Sequence, residues 1–226
     1  MMQDLALIFT DYNISYIFAG LGLTLVIALV TLLGGTLLGT VLALFNNYGK
    51  TTDKIAAVFV EVFRNTPVLL WVFVAIAAVP LPSLLSRALV ATVIFNAAII
   101  SEIIRGGLNA VPKGQIEAGR SQGFSFLQIV VYIVLPQAFR RIIPTLTSQT
   151  ITIIKDTSYL AQIGVAELMF AIRKLMSTAN TFTGHPITAQ DVFILFGTAA
   201  VIYFVINFGL SVAVRKMQKK IDITVK

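Results

Sequence analysis

The sequence predicts an all-α integral membrane protein, a single transmembrane domain over residues 1–226, with five helices crossing the bilayer. Three observations predict this. Hydrophobic residues make up 57% of the chain and charged residues 12%, whereas soluble domains carry about 25% charged residues. The apolar residues come in long runs. A spanning helix needs about 20 of them, so the chain holds five or six spans and no large soluble domain. The basic residues gather at the ends of these runs. With five spans, Lys50, Lys54, Arg105, Lys113, Arg120, Arg140, Arg141, Arg215, Lys216, Lys219, Lys220 and Lys226, twelve of the 17, share one face, as the positive-inside rule expects of the cytoplasm. The N-terminus is then outside and the C-terminus inside.

Each element follows from its local sequence. Residues 12–49 carry no charge, and 20–45 supply the first span. Asp4 and Asp11 precede it and no basic residue does, so the positive region of a cleavable signal peptide is missing and the segment is expected to stay as a helix. A polar turn at 46–50 leads to a second span over about 56–79, closed by Pro80-Leu81-Pro82 in a short outer loop. The third runs over about 84–104 and ends at Arg105-Gly106-Gly107, where glycine can cap a helix. Residues 121–139 are also free of charge, but counting them as a span would put the Lys50 loop and the basic C-terminus on opposite faces. They are expected instead to place an amphipathic helix over 124–135 along the cytoplasmic interface, with the fourth span beginning near Phe139 and including 151–154. The fifth covers 192–214 and stops at the basic run 215–220.

Composition and motifs exclude several function classes. The net charge of +7 flanks apolar spans on one side, which suits anionic lipid headgroups and not nucleic acid. Cysteine is absent, and His185 is the only histidine, so metal centres and histidine-based triads have nothing to build on. Gly49-Lys50-Thr51 resembles the end of a phosphate-binding loop, but the required first glycine would fall on Leu44, and no strand precedes it. Gly35 and Gly39 form a GxxxG pair, which lets helices approach closely, either within the chain or across a dimer.

Ionisable residues in spans usually face the protein interior or water, because each costs about 2.5–3.5 kcal/mol at a helix centre. Glu61 and Arg64 lie three apart on one helix, as do Glu102 and Arg105, the spacing of a structural ion pair. Asn65-Thr66-Pro67 follows the first pair, and its proline should bend the helix. Lys155-Asp156-Thr157-Ser158 interrupts an apolar run with adjacent opposite charges and two hydroxyls, which fits a gate, a pathway or a structural insertion. Arg87 either snorkels outward or faces the pathway. Glu167 and the Arg173-Lys174 pair are expected towards the outer side.

Between the apolar segments, Glu117-Ala118-Gly119-Arg120-Ser121-Gln122-Gly123 followed by Ile133, Leu135 and Pro136 resembles the E-A-A-x3-G-x9-I-x-L-P loop of ABC importer membrane subunits. Phe63-Arg64-Asn65-Thr66-Pro67 is similar to the F-R-G-T-P of the permeases for polar amino acids. Glu102 to Gly107 matches their E-x-x-R-G-G, Lys113 to Ala118 their K-G-Q-x-E-A, and Lys155 to Ser158 their K-D-T-S. The matches come in the family's order over about residues 55–170. Departures are Asn65 for glycine, Gly119 for the second alanine, Ile99 for a frequent tyrosine and Tyr159 for leucine. Ile99 removes a hydroxyl near the expected pathway.

The resemblance implies the type I ABC importer fold: five transmembrane helices with a cytoplasmic coupling loop over about 112–136. It implies a second permease copy or paralogue, a pair of ATPase subunits that hold the ATP and magnesium, and an extracellular or periplasmic substrate-binding protein. The location would be the bacterial cytoplasmic membrane and the solute a polar amino acid, with glutamine or glutamate favoured and a basic amino acid or cystine as alternatives. This chain would need no cofactor or metal of its own. Gly114, Glu117, Ala118 and Gly123 fall on the coupling loop. Arg64, Thr66, Arg87, Asn96, Ser158 and Glu167 are the candidates for the solute path, and Glu61, Glu102, Arg105, Lys155 and Asp156 for structural or gating roles. An ion-coupled secondary transporter could use Glu61, Glu102 or Asp156 to bind a proton or sodium, but it would need no ATPase loop. A non-transporting membrane adaptor is the remaining class.

Overall fold

The computed structural model describes residues 8–49 and 52–224, without the side chains of 52, 182 and 217–224. Asp4, Lys50, Thr51 and Lys226 lie outside the described residues, as do the side chains of Lys219 and Lys220. Four helices are long and apolar enough to cross a membrane, and a bent helix pair makes a fifth. The chain is an all-α membrane protein of the expected class.

Helix α1 (Asp11–Tyr48) starts where Thr10 Oγ1 accepts the Asn13 N–H at 3.3 Å, satisfying one of the free donors of the first turn. Its 38 residues reach about 57 Å, well beyond a hydrocarbon core of about 30 Å. Leu25, Leu29, Leu33 and Leu37 point outward, while the inward stripe is small. A Cβ added at Gly39 would stand 2.8 Å from the Ala97 carbonyl, and one at Gly35 would stand 3.2 Å from Ile100 Cδ1. Both glycines are buried. The GxxxG pair therefore packs α1 onto α4 (Leu84–Asn109) within one chain, where small residues let two backbones meet.

The second expected span is two helices, α2 (Thr52–Arg64) and α3 (Val68–Ala78), with a bend of 106° between them. Pro67 lacks an N–H and drives the preceding Thr66 out of helical geometry. Side chains take up the carbonyls left over: Asn65 Nδ2 donates to Glu61 O at 2.8 Å and Thr66 Oγ1 to Val62 O at 2.7 Å. A bend was expected here, but not one that divides the span.

Helix α4 opens on a capping box between Ser83 and Ser86 and runs through 26 residues. It does not stop at Gly106-Gly107 as expected but continues to Asn109. Gly107 is buried, and an added Cβ would collide with Ile142 Cγ2 and lie 3.1 Å from the Ala138 carbonyl. That glycine serves helix contact and not helix termination.

After the short α5 (Lys113–Ser121), the fourth span departs most from expectation. No separate interfacial helix precedes it. One helix, α6, runs over Phe126–Ile163, with a π-helical stretch at Ile129–Val134, α-helix over Leu135–Asp156 and a 3-10 end at Thr157–Ile163. Pro136 would break a regular helix by clashing with the carbonyl four residues back. The wider π turn lies just ahead of it, with the Leu135 N–H reaching back to Val130 O, so the proline is absorbed and the helix continues.

Helices α7 (Leu168–Ser177), α8 (Ala179–Thr183) and α9 (Ala189–Thr224) complete the chain. Buried Ile17, Leu168, Ile172 and Leu195 join the start of α1 to α7 and the start of α9. At the other end Ala43, Ile104, Leu108, Ile129, Ala138 and Ile142 form a second cluster. The α5 turn and the start of α1 thus sit at opposite ends of the helix bundle.

Candidate functional site

The residues at 113–128 form a helix, a turn and a new helix start. α5 ends in a Schellman motif: the Gly123 N–H donates to Arg120 O at 3.0 Å and the Phe124 N–H to Gly119 O at 3.1 Å. Gly123 has φ +78°, the left-handed conformation that costs other residues roughly 1–2 kcal/mol. Two residues on, Ser125 and Gln128 form a capping box, with the Ser125 N–H donating to Gln128 Oε1 at 2.8 Å. The Ser-x-x-Gln signature marks this start in the sequence, one residue beyond the expected helix boundary.

The outer surface of this unit is open. Lys113, Gly114, Glu117, Ala118, Arg120 and Gly123 are exposed, whereas Gly119 is buried. A Cβ at Gly119 would lie 2.9 Å from Ile133 Cδ1 and 3.1 Å from Ile129 Cγ1. Glycine at the usual place of alanine thus lets α5 press onto the π turn of α6. Two further contacts fix the unit to the bundle: the Tyr48 and Phe126 rings meet edge to face at 5.2 Å, and the Arg141 guanidinium donates to the Ala110 carbonyl at the end of α4.

The two expected ion pairs merge into one network. Arg64 reaches Glu61 at 3.6 Å on α2 and Glu102 at 3.3 Å on α4, and Glu102 also holds Arg105 at 2.8 Å. Glu102 thereby ties the end of the bent pair to the third span. The network is partly exposed, so each pair contributes about 0–1 kcal/mol.

The expected path residues do not form one cluster. Asn96 is 2% exposed; its Nδ2 donates to Thr92 O and its Oδ1 accepts from Gln149 Nε2, both at 2.9 Å. Gln149, missed in the sequence, carries no signal there beyond its polarity. Asn96, Asp156 and Thr157 line a cavity of about 10 Å³, the size of a single water. Ser158 is half-buried beside them. Thr66 Oγ1 accepts the Trp71 indole N–H at 2.7 Å, across the bend. Arg87 donates to Leu81 O at 2.7 Å and to Ile76 O at 2.8 Å, so its cation closes the C-terminal end of α3.

Glu167 is fully buried and caps α7, its Oε1 accepting the Phe170 N–H at 2.8 Å. Its Oε2 accepts from Thr24 at 3.3 Å on α1 and from Tyr203 at 3.1 Å on α9. One carboxylate therefore joins three helices. Neither Thr24 nor Tyr203 is indicated by its local sequence, because their shared partner lies 143 and 36 residues away.

The chain is similar to known transport proteins over most of its length. The family model described as the binding-protein-dependent transport system inner membrane component matches residues 35–223. The chain is 34% identical over 216 residues to the probable glutamine ABC transporter permease protein GlnP of Bacillus subtilis (strain 168), covering 93% of this chain and 95% of that one. It is 35% identical over 165 residues to the arginine transport system permease protein ArtQ of the same organism, covering 70% and 74%. Among solved structures, an amino acid ABC transporter crystallised with histidines matches with a TM-score of 0.75 at 26% identity, over 91% of this chain and 94% of that one.

Proposed function

We propose, from the premise that this chain belongs to the family of binding-protein-dependent transport system inner membrane components, that it is the permease subunit of an ATP-driven importer of a polar amino acid. Glutamine or glutamate is the favoured solute, which the name of the Bacillus subtilis glutamine permease supports. A pair of ATPase subunits, holding ATP and magnesium, docks on the cytoplasmic end. A second permease copy or paralogue completes the path, and an external binding protein delivers the solute. The N-terminus lies outside and the C-terminus in the cytoplasm.

The observation that carries this reading is the exposed α5 and its Gly123 turn. Gly114, Glu117, Ala118 and Gly123 present backbone and small side chains outward, and no other atom lies within 4 Å of a Cβ built on Gly114 or Gly123, so a docked surface can approach closely. Gly119 and the capping box transmit a push on α5 directly to α6. ATP binding closes the ATPases, α5 carries that motion into α6, and the paired subunits open outward to accept the solute; hydrolysis resets them. Thr66, Asn96, Ser158 and Glu167 belong to the wall that rearranges. Arg64 and Arg87 are the cations available to the solute carboxylate once they release their present partners, and Glu61, Glu102, Arg105, Lys155 and Asp156 hold or gate the path.

The test is uptake of labelled amino acids into proteoliposomes that contain this chain, its ATPase and its binding protein, with ATP inside and ion gradients collapsed. Accumulation of one polar amino acid is expected. Uptake that appears only when a gradient is restored would instead establish an ion-coupled carrier. Glu117→Lys, on the exposed face, should abolish co-purification of the ATPase without unfolding the chain, and Gly123→Arg should do the same. Survival of co-purification in both would refute the docking assignment.

A further inference from the structure

Helix α6 carries a polar stripe in which Ser148 Oγ donates to Pro144 O at 3.3 Å and Thr152 Oγ1 to Ser148 O at 3.2 Å, leaving the Lys155 ammonium as the group that the membrane cannot cover. Arg141, Thr145, Ser148, Thr152 and Lys155 are spaced by four, three, four and three residues, which places them on one helix face. Arg141, Thr145, Ser148 and Lys155 are exposed and Thr152 partly so, while Ala138, Ile142, Ile153 and Ile154 face the core. The Lys155 ammonium makes no salt bridge or hydrogen bond among the described residues; the adjacent Asp156 carboxylate attracts it but lines the buried cavity near Asn96. It lies fourteen residues beyond Arg141, about 21 Å along the axis, a distance that cannot bring both cations to the same surface of a hydrocarbon core about 30 Å thick. An exposed ammonium at that depth requires water or an anionic partner. The outward residues of α1, Leu25, Leu29, Leu33 and Leu37, carry no such demand.

Space for a solute also lies on this side. The buried cavity near Asn96 has about 10 Å³, whereas a recess of about 240 Å³ adjoins the stripe, where Thr145, Thr147, Ser148, Ser211 and Arg215 line it together with the apolar Pro144, Ile151 and Val214; recesses of about 420 and 480 Å³ lie beside Leu25 and Leu29 and at the start of α1. Hydroxyls and a guanidinium suit a carboxylate and the hydroxyl or amide of a polar solute.

We infer that the Thr145, Ser148, Thr152 and Lys155 face of α6 is the water-filled wall of the solute route, and that the Lys155 ammonium meets the amino acid's carboxylate ahead of Arg64 and Arg87, whose guanidiniums are held by Glu61, Glu102 and the Leu81 and Ile76 carbonyls. This deepens the importer reading and rests on it. The hydroxyls, spaced along the helix below Lys155, offer successive weak contacts, so that a solute is handed on and not trapped.

The chain contains no cysteine, so single cysteines can be introduced one at a time into the assembled complex. Thr145→Cys, Ser148→Cys and Thr152→Cys should react with a charged, water-soluble methanethiosulfonate at least ten times faster than Leu29→Cys and Leu33→Cys. Rates equal to those of the leucine positions would overturn the inference, as would spontaneous disulfides between copies at all three sites without labelling, which would indicate a closed helix contact. Lys155→Cys should lower ATP-driven uptake at least tenfold. Attaching an aminoethyl group to that cysteine should restore uptake, and a methyl group should not. Rescue by both reagents, or by neither, would remove Lys155 from solute contact. Lys155→Arg should retain uptake, and the unsubstituted complex in the same vesicles reports separately whether ATP-driven import occurs at all.

Discussion

Helices α1 and α6 are each 38 residues long as candidate spans, yet their exposed faces are opposite in kind. On α1 the outward residues are apolar, Leu33 at 61% and Leu37 at 73% exposure, and the inner side narrows to Thr31, Gly35 and Gly39 where it meets α4. Between Arg140 and Lys155 the outward residues of α6 are hydroxyls and cations, while its ends expose Leu127, Tyr132 and Tyr159, and the regular helix is interrupted by a π turn ahead of Pro136 and by Pro144 within it. The first is a scaffold dissolved in lipid. The second is a scaffold on one side and a wetted wall on the other, with the α5 turn joined to its near end. Length and apolar content alone do not separate these roles; the chemistry of the unburied face does.

Replacing the glycines that carry the two packing faces should have the largest effect. Gly39→Leu sets a side chain against the Ala97 carbonyl, and Gly107→Leu sets one against Ile142 and the Ala138 carbonyl. Backbone cannot yield as a side-chain tip can, so each should cost about 3 kcal/mol or more, at the upper end of overpacking. Loss of the monodisperse peak on gel filtration in detergent would show it; a normal peak and melting temperature for both would mean the helices do not meet as described.

Glu167→Ala should come next, because it leaves the Thr24 and Tyr203 hydroxyls and the Phe170 N–H without their acceptor, at about 1–3 kcal/mol for each buried group left unsatisfied. Glu167→Gln keeps an acceptor and should lose less. Equal melting temperatures for the two variants would argue against the three-helix pin.

Gly123→Ala should cost roughly 1–2 kcal/mol through its left-handed backbone, against about zero or a slight gain for Gly114→Ala, an open helical position. A comparison of ATPase-binding affinity with thermal stability for the pair separates strain in the turn from loss of docking. Arg64→Ala should change stability by no more than about 1 kcal/mol, since its pairs are half-exposed. Smallest of all, Leu33→Ala on the lipid face should leave uptake unchanged within measurement error. A large loss there would place α1 in the route.

Much of this was legible in the sequence. The membrane class and five crossings follow from composition, runs of apolar residues and the placement of lysine and arginine. The Gly123 turn follows from the one residue that takes a positive φ without strain, and the helix start beyond it from the Ser-x-x-Gln signature. The bend at Asn65-Thr66-Pro67 follows from proline, although its 106° does not.

Other features depend on partners distant in the chain. Gly107 reads locally as a helix end and becomes a contact only because Ala138 and Ile142 arrive opposite it. Residues 121–139 read as a loop and an interfacial helix, but the π turn makes them the start of a span. Glu61, Arg64, Glu102 and Arg105 read as two pairs at helical spacing and form one network through a contact between α2 and α4. The sequence by itself determined the solvent this chain folds in, the apolar segments that cross it and the exposed turn at Gly123, because those depend on local composition and spacing. Tertiary structure alone decided which glycines pack, which charges pair and which helix face stays uncovered, because each is a property of two surfaces meeting.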